Sequence, residues 1–398
     1  MLTERADGVP RSAVLGSYVL GAYGLGFLEL LTFVLALRCH ELGLSVDKVG
    51  LVMGAGSVGP ALLAIPLSSF IDRYGPRRSF VLAAIATAVL SLAFMLVGHF
   101  LLLIALQFVM GCTRTMAWVS SQGYLTGIGT EAERASHAGR FGFFVGAGQM
   151  LAALLAGVAT EAAGATAGFL FGAVYSILFA LLALRLPDLA PATRPTGSSG
   201  SYRQAMRLLH VPGVQTAMLL TFTRLSVASA WSAFVPLILV AHGLTPGLVG
   251  FVIAAKGGVT TLSSLSTGRL SRTLGVIKLG IVSLGLGTVG LGLAPWLNGP
   301  VSAFLSAALV GLAMGLSLPV ILATLTDGAT HDQRALALSM RESANSTAST
   351  LGPPAVGRLM ALAGVSKGLL VTSAACVGLL AVAAARSSKR GRRRNSTA

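Results

Sequence analysis

The chain reads SSFIDRYGPRR at residues 68–78, a basic turn between two apolar runs. A related segment, GRLSRTLGVIK, occupies residues 268–278. The two segments share a glycine in one register, Gly75 and Gly275, at a spacing of 200 residues. The same spacing relates Gly43-Leu44 to Gly243-Leu244, Val49-Gly50 to Val249-Gly250, Gly111 to Gly311, and Arg134-Ala135 to Arg334-Ala335. Chance rarely preserves one register over so long a stretch, so the sequence indicates two duplicated halves.

The composition excludes an ordinary soluble fold. Of the 398 residues, 54% are hydrophobic and 11% are charged, whereas a soluble protein carries about a quarter charged residues. A helix that spans a bilayer needs roughly 20 apolar residues, and no segment alternates as the strands of an outer-membrane barrel do. Apolar runs predict helices at 13–37, 49–71, 79–99, 101–123, 139–160, 165–185, 213–240, 247–269, 277–296, 301–325, 338–362 and 368–385. We expect an all-α polytopic membrane protein with twelve transmembrane helices in two six-helix halves.

The polar segments divide and orient the chain. Residues 187–212 form a linker rich in Pro, Gly and Ser between an N-terminal half, 13–186, and a C-terminal half, 213–385, with tails at 1–12 and 386–398. The net charge is +16, yet the loops on one side hold only Arg38, Lys48 and Lys367 as basic residues. Because basic loops stay in the cytosol, we expect both termini to be cytosolic. The expected location is the plasma membrane.

The turn at residues 68–78 resembles the signature loop of the major facilitator superfamily. In that family a glycine, an Asp-Arg pair, a second glycine and one or two basic residues follow in this order. The matching residues are Asp72, Arg73, Gly75, Arg77 and Arg78. Ser68 stands in place of the first glycine, and Arg272 stands in place of the acidic residue in the second copy. The resemblance covers the whole chain and implies transport by alternating access, in which duplicated halves expose a midplane site to each side in turn.

The resemblance also implies a gating latch at this turn, formed by Asp72, Arg73, Gly75, Arg77 and Arg78. The carboxylate of Asp72 can pair with neighbouring guanidinium groups near a helix N-terminus, whose dipole favours an anion. The alternative is that the arginines only enforce topology. An acidic residue adds nothing to that role, which favours the latch.

Four ionisable residues lie near the middle of predicted helices: Glu29, Arg114, Arg224 and Lys256. Each costs about 2.5–3.5 kcal/mol if it faces lipid, so we expect these side chains to face water or one another. The resemblance implies that their helices line a central cavity. Three cations against one carboxylate predict a cavity that attracts an anionic or zwitterionic solute. The alternative is a structural ion pair between Glu29 and Arg114, with Lys256 extending to the membrane surface.

Further residues join the predicted solute site. Trp118 and Trp231 lie on the same helical faces as Arg114 and Arg224, so they either stack on an apolar part of the solute or pack in the core. Asn345 shares a face of helix 11 with Glu342. Arg341 points about 100° away from Glu342 on an ideal helix, which argues against an ion pair between these neighbours.

Glu29 is the first candidate for proton coupling, because surroundings of low dielectric disfavour the charged carboxylate and promote proton uptake. Glu342, nearer the cytosol, is the second. His137 and His331 fall in cytosolic loops and are expected to be solvated. The three cysteines are scattered, and no phosphate-binding loop or metal-ligand spacing occurs, so we expect no disulfide, cofactor, metal or direct ATP drive.

Together these features predict a secondary active transporter, not an enzyme. Its expected partners are a small-molecule solute and protons. Proton-coupled export of an amphipathic or anionic compound is favoured over uptake of an organic anion by analogy alone. A polytopic enzyme or a non-transporting sensor is the alternative of another class, but no clustered nucleophile and base is visible. We expect a monomer that does not bind nucleic acid and whose basic tail binds anionic lipid headgroups.

Overall fold

The computed structural model describes residues 11–126, 134–188, 208, 211–296, 298–328 and 334–395. Within these ranges the chain is helical apart from short connections. The helical segment Arg134–Leu184 leaves helical geometry at Ala163 and Gly164, which divides it into α5 (134–162) and α6 (165–184). The other helices are α1 (Arg11–Glu41), α2 (Val46–Tyr74), α3 (Pro76–Leu96), α4 (Phe100–Thr126), α7 (Pro212–Ala241), α8 (Pro246–Leu274), α9 (Val276–Gly292), α10 (Pro300–Gly328), α11 (Arg334–Ala363) and α12 (Val365–Asn395), with a short 3-10 turn at Ala294–Trp296. Each predicted helix is confirmed.

Most of these helices are long and apolar enough to cross a membrane. Nine stretches of the described residues meet that condition, with Arg140–Leu184 counted as one although it contains both α5 and α6. The helix α9 is apolar but shorter. The side chains that face outwards are large and hydrophobic, as in Leu96, Leu101 and Leu265, which a lipid environment accommodates and water does not.

The backbone repeats itself at the spacing found in the sequence. Among the described residues, the glycines with positive φ form three pairs: Gly43 and Gly243 (67° and 85°), Gly75 and Gly275 (83° and 82°), and Gly164 and Gly364 (71° and 87°). Each pair lies at equivalent turns between helices, where a residue with a Cβ atom would be strained. The structure therefore extends the duplication to the turns before α6 and α12.

The chain forms two compact units. Unit 1 consists of Met1–Gly43, Ala55–Pro195 and Thr245–Gly257, and unit 2 consists of Leu44–Gly54, Thr196–Leu244 and Gly258–Ala398. The helices α2 and α8 each contribute one part to each unit. The domain boundaries drawn from the sequence stay a prediction, because most of the linker at 187–212 lies outside the described residues.

A close helix contact in each unit holds the first part of α8 or α2. In unit 1, a Cβ atom on Gly250 of α8 would lie 2.6 Å from the Cα atom of Gly157 of α5. In unit 2, a Cβ atom on Gly357 of α11 would lie 3.3 Å from the Cα atom of Gly50 of α2. The two contacts correspond at the spacing of 200 residues. Only glycine permits such backbone proximity, and the contact in unit 1 positions the functional side chain described next.

Candidate functional site

The buried charges of unit 1 centre on an ion pair between α1 and α8. The Lys256 Nζ atom donates to both carboxylate oxygens of Glu29, at 3.0 Å and 3.1 Å. The side chains of Lys256 and Glu29 are 8% and 15% exposed. Removing two charges from water is costly, and contact with both oxygens offsets part of that cost. The alternative pairing of Glu29 with Arg114 is wrong, and Lys256 does not extend to the membrane surface.

Helix packing in unit 1 explains why Glu29 and Lys256 meet. The helix α1 runs parallel to α5, and α8 runs antiparallel to it. The contacts that set these two registers are Gly26 with Gly148, and Gly250 with Gly157. Glu29 lies one turn after Gly26 on α1, and Lys256 lies nearly two turns after Gly250 on α8. Both residues are therefore level with the turn of α5 around Leu151. Close packing at glycines thus brings opposite charges from distant parts of the sequence to one depth.

Arg114 lies at a similar depth on α4. The Trp118 ring packs on Gly24 of α1 and α4 runs antiparallel to α1, so Arg114, one turn before Trp118, reaches the level of Leu28 and Glu29. Its side chain is half-buried. Within the part of the chain that the structure describes, its guanidinium group has no hydrogen-bond or ion-pair partner. Unit 1 therefore holds one more cation than anion at this level.

The half-buried Trp118 serves partly as packing. Its ring lies against Gly24, and its centroid is 5.9 Å from that of Phe141 on α5. The remaining exposed part of the ring lies one helical turn from Arg114. Its predicted contact with a solute stays a prediction.

Unit 2 holds a second charged group, on α11. The Arg341 Nη2 atom donates to Glu342 Oε2 at 2.8 Å, and the Asn345 Nδ2 atom donates to Glu342 Oε1 at 3.1 Å. The argument that Arg341 does not pair with Glu342 is therefore wrong. The long arginine side chain bends across the angle between the two Cβ directions, and Glu342 is exposed enough, at 59%, to meet it.

Arg224 on α7 carries the other cation of unit 2 that the sequence singled out. Its Nε atom is buried without a hydrogen-bond partner, as is the Nε atom of Arg341. The two guanidinium groups are close enough for their charges to repel each other. Since Glu342 already neutralises Arg341, Arg224 is a cation without a counter-ion among the described residues.

Trp231, predicted to lie beside Arg224, is part of the core of unit 2. It is fully buried, and its indole N–H donates to Ser306 Oγ at 3.1 Å. A tryptophan satisfied in this way is a packing residue. Its burial favours the core alternative, and its predicted contact with a solute stays a prediction.

The arginines of the predicted latch bind elsewhere in this structure. Arg78 pairs with Asp188 at 3.2 Å, the Arg77 Nη2 atom donates to the Leu184 carbonyl oxygen at 2.6 Å, and Arg73 lies over the Tyr74 ring. Asp72 is exposed and has no hydrogen bond or ion pair with any described residue. The structure does not bring Asp72 to these arginines. Gly75 supplies the left-handed turn before α3, and the latch stays a prediction.

Other predicted positions contribute less. The side chain of His137 and the whole of His331 lie outside the described residues. Among the residues that are described, no three His, Cys, Asp or Glu side chains are grouped closely enough to hold a metal ion. Sequence reasoning missed two ion pairs of the site, Lys256 with Glu29 and Arg341 with Glu342.

Comparisons with known proteins agree with this architecture. A sequence model described as Major Facilitator Superfamily matches residues 15–353 and 216–398. No curated protein matches the sequence. The crystal structure of the nucleoside transporter NupG is similar over 94% of this chain and 98% of its own, with 13% identity and a TM-score of 0.79. An inward-facing, unoccupied bacterial homologue of the human lysosomal transporter Spinster is similar over 94% of this chain and 95% of its own, with 17% identity and a TM-score of 0.75.

These similarities show the fold and leave the solute open, because identities this low carry no functional assignment. They confirm the prediction of an all-α membrane protein with twelve transmembrane helices in two six-helix halves.

Proposed function

Because the chain belongs to the major facilitator superfamily, we propose that it is a secondary active transporter that moves a small organic anion across the plasma membrane, coupled to protons. It is a multi-pass membrane protein of that family. Both termini lie in the cytosol, the basic tail binds anionic lipid headgroups, and the transporter works as a monomer by alternating access.

The observation that carries this proposal is the uncompensated charge of Arg114. It lies at the depth of the Glu29–Lys256 pair and has no partner among the described residues. Unit 2 repeats the feature, because Arg224 has no counter-ion within the described chain either. A half-buried guanidinium group inside a membrane-spanning helix is costly unless water or an anion reaches it, and its field draws anions.

The other classes of function fit the deep charges less well. A membrane enzyme needs a nucleophile and a base, or metal ligands, within contact of one another. The deep residues described above are instead the carboxylate of Glu29, which is paired with Lys256, and the guanidinium groups of Arg114 and Arg224. A sensor has no need for an ionisable pair at the midplane, so transport is the proposal.

Two directions are open to a proton-coupled carrier. Export, which analogy alone favours, requires the proton and the solute to bind in alternation. Uptake driven by an inward proton gradient requires them to bind together. The charge of the solute relative to Glu29 decides between these schemes.

Substrate screening in proteoliposomes tests the proposed function. The panel consists of labelled organic carboxylates, sulfonates and phosphates, each with an uncharged amide counterpart, under an imposed proton gradient. We expect at least one anion to accumulate and its amide not to. The variants R114Q and R224Q should lose most of that accumulation, while R185Q, which changes an exposed arginine after α6, should keep it. Equal transport of anions and amides, or equal activity of all three variants, would contradict the proposal.

A further inference from the structure

A groove lies between α3 and α6 of unit 1. It has a volume of about 350 Å³, and its lining consists of alanine, valine, leucine and isoleucine side chains. Ala88 and Ala173 are buried at its floor, whereas Leu92, Leu170 and Leu178 are exposed along its walls. Small side chains between large ones thus leave room for a narrow apolar body.

The two helices pack antiparallel, which fixes the depth of the groove. The rings of Phe94 and Phe169 stack with their centroids 5.4 Å apart. At the other ends of these helices, the Arg77 Nη2 atom donates to the Leu184 carbonyl oxygen at 2.6 Å. The groove residues of α6 lie within 170–178, about 9–21 Å from Leu184 at about 1.5 Å per residue. One leaflet holds about 15 Å of hydrocarbon, so the groove lies where acyl chains end when their headgroups are level with Arg77.

Two arginines of α3 reach across to the end of α6 at the headgroup level. Arg77 contacts Leu184, and Arg78 contacts Asp188 at 3.2 Å through both Nε and Nη2. A guanidinium group has five N–H donors, and Arg78 is 71% exposed, so donors remain for a further acceptor. Asp188 balances the charge of only one of the two arginines. This end of the groove is therefore suited to an anion.

The surface between the arginines and the groove is apolar. Leu82 and Ile85 of α3 are exposed and lie on the face of Val89 at helical spacing. Leu181 of α6 is exposed and continues the face of Leu178 in the same way. An apolar path therefore joins the cationic end to the groove.

We propose that this groove binds an acyl chain of an anionic phospholipid whose phosphate group contacts Arg77 and Arg78. Guanidinium groups form charge-assisted hydrogen bonds with phosphate, and the chain fills the apolar groove. A second copy of this protein fits less well, because a symmetric dimer brings the same surface of both copies together and would place like charges face to face. The site requires only that unit 1 lies in a membrane, and it does not depend on the proposed solute.

Cross-linking of photoreactive phospholipids tests the site in the full-length protein. Phosphatidylcholine vesicles contain a trace of phosphatidylglycerol or phosphatidylcholine with a photoreactive group in one acyl chain, and peptide mass spectrometry maps the labelled residues. We expect phosphatidylglycerol to label 88–92 and 170–178 more strongly than phosphatidylcholine does. R78Q should reduce that labelling about fivefold, which corresponds to the roughly 1 kcal/mol of one basic residue near the surface. R78K should keep most of it, and R140Q, which changes an exposed arginine on α5, should keep all of it.

Three further variants test the headgroup and the chain separately. D188N removes the carboxylate that contacts Arg78 and should increase labelling of 88–92 by phosphatidylglycerol but not by phosphatidylcholine. L178A lowers one wall of the groove and should weaken labelling of 88–92 by both lipids. L265A, which changes an exposed leucine on α8, is the matched control and should leave both unchanged.

Three results would overturn the proposal. The first is equal labelling of the groove by both lipids in the wild-type protein, or equal labelling in R78Q and R140Q. The second is a preference for phosphatidylglycerol that appears only at the basic tail, residues 386–398. The third is cross-linking of two protein chains through α3 and α6 in place of lipid, which would identify a second copy as the occupant.

Discussion

Loss of either member of the Glu29–Lys256 pair should destabilise unit 1, and the two losses should not be equal. At 3.0 Å and an effective dielectric constant of about 20, the attraction is about 5 kcal/mol before the desolvation cost is subtracted. Removing one partner of a buried pair costs about 3–5 kcal/mol, whereas replacing both by neutral groups is often neutral. E29Q removes the one carboxylate described at the level of Lys256 and Arg114, so it should lie near the top of that range. K256M leaves Glu29 with Arg114 as a substitute partner and should cost less.

A double-mutant cycle measures this asymmetry. The wild-type protein, E29Q, K256M and the double variant are purified in one detergent, and their thermal unfolding is followed at one pH. The double variant should recover most of the stability lost in E29Q, which corresponds to a coupling of about 2 kcal/mol or more between contacting residues. Losses that simply add would refute the pairing, and a greater loss in K256M than in E29Q would refute the proximity of Arg114 to Glu29.

Two further predictions concern packing. W231F removes the indole donor to Ser306 and should lower stability by about 1 kcal/mol without changing the KM for the solute; a changed KM would return Trp231 to the solute site. G250A places a methyl group 2.6 Å from the Gly157 Cα atom and should cost about 1–3 kcal/mol through overpacking. G285A, which has nothing within 4 Å of the new methyl group, is the matched control in thermal unfolding, and equal melting temperatures for the two variants would contradict the close α5–α8 contact.

Much of the fold could be predicted from the sequence because it depends on simple quantities. The apolar runs and their polar breaks determine the helices, since a bilayer demands a minimum apolar length. The duplication is visible in matches such as Gly75 and Gly275, and the structure explains that pair by positive φ angles of 83° and 82°. The equivalence of Gly164 and Gly364 was missed, although Ala163-Gly164 recurs as Ala363-Gly364 and Gly168 recurs as Gly368.

The deep charges of the site could also be predicted, because an ionisable residue is conspicuous within an apolar run. The choice of partner could not be predicted in the same way, since it depends on which helices pack together and in which register. A usable indication was nevertheless present. Glu29 and Lys256 lie nearly equally far from the helix ends at Glu41 and Pro246, on one side of the membrane, and residues of opposite charge at equal depth are natural partners.

The pairing of Arg341 with Glu342 was excluded for a different reason. A helical wheel assumes that each side chain extends along its Cα–Cβ direction, and the directions of adjacent residues then differ by about 100°. The several rotatable bonds of arginine, together with the exposure of Glu342, allow the guanidinium group to return to the adjacent carboxylate at 2.8 Å. Angular arguments of this kind hold for short side chains better than for arginine.

The most direct test of the account is the movement of protons when the solute enters vesicles without an imposed gradient. Proteoliposomes that enclose a pH-sensitive dye are mixed with the transported sulfonate, and internal pH and solute uptake are recorded together. The account predicts that the internal pH changes as the anion enters and that E29Q abolishes the change. An internal pH that does not change while the wild-type protein transports the anion would contradict it.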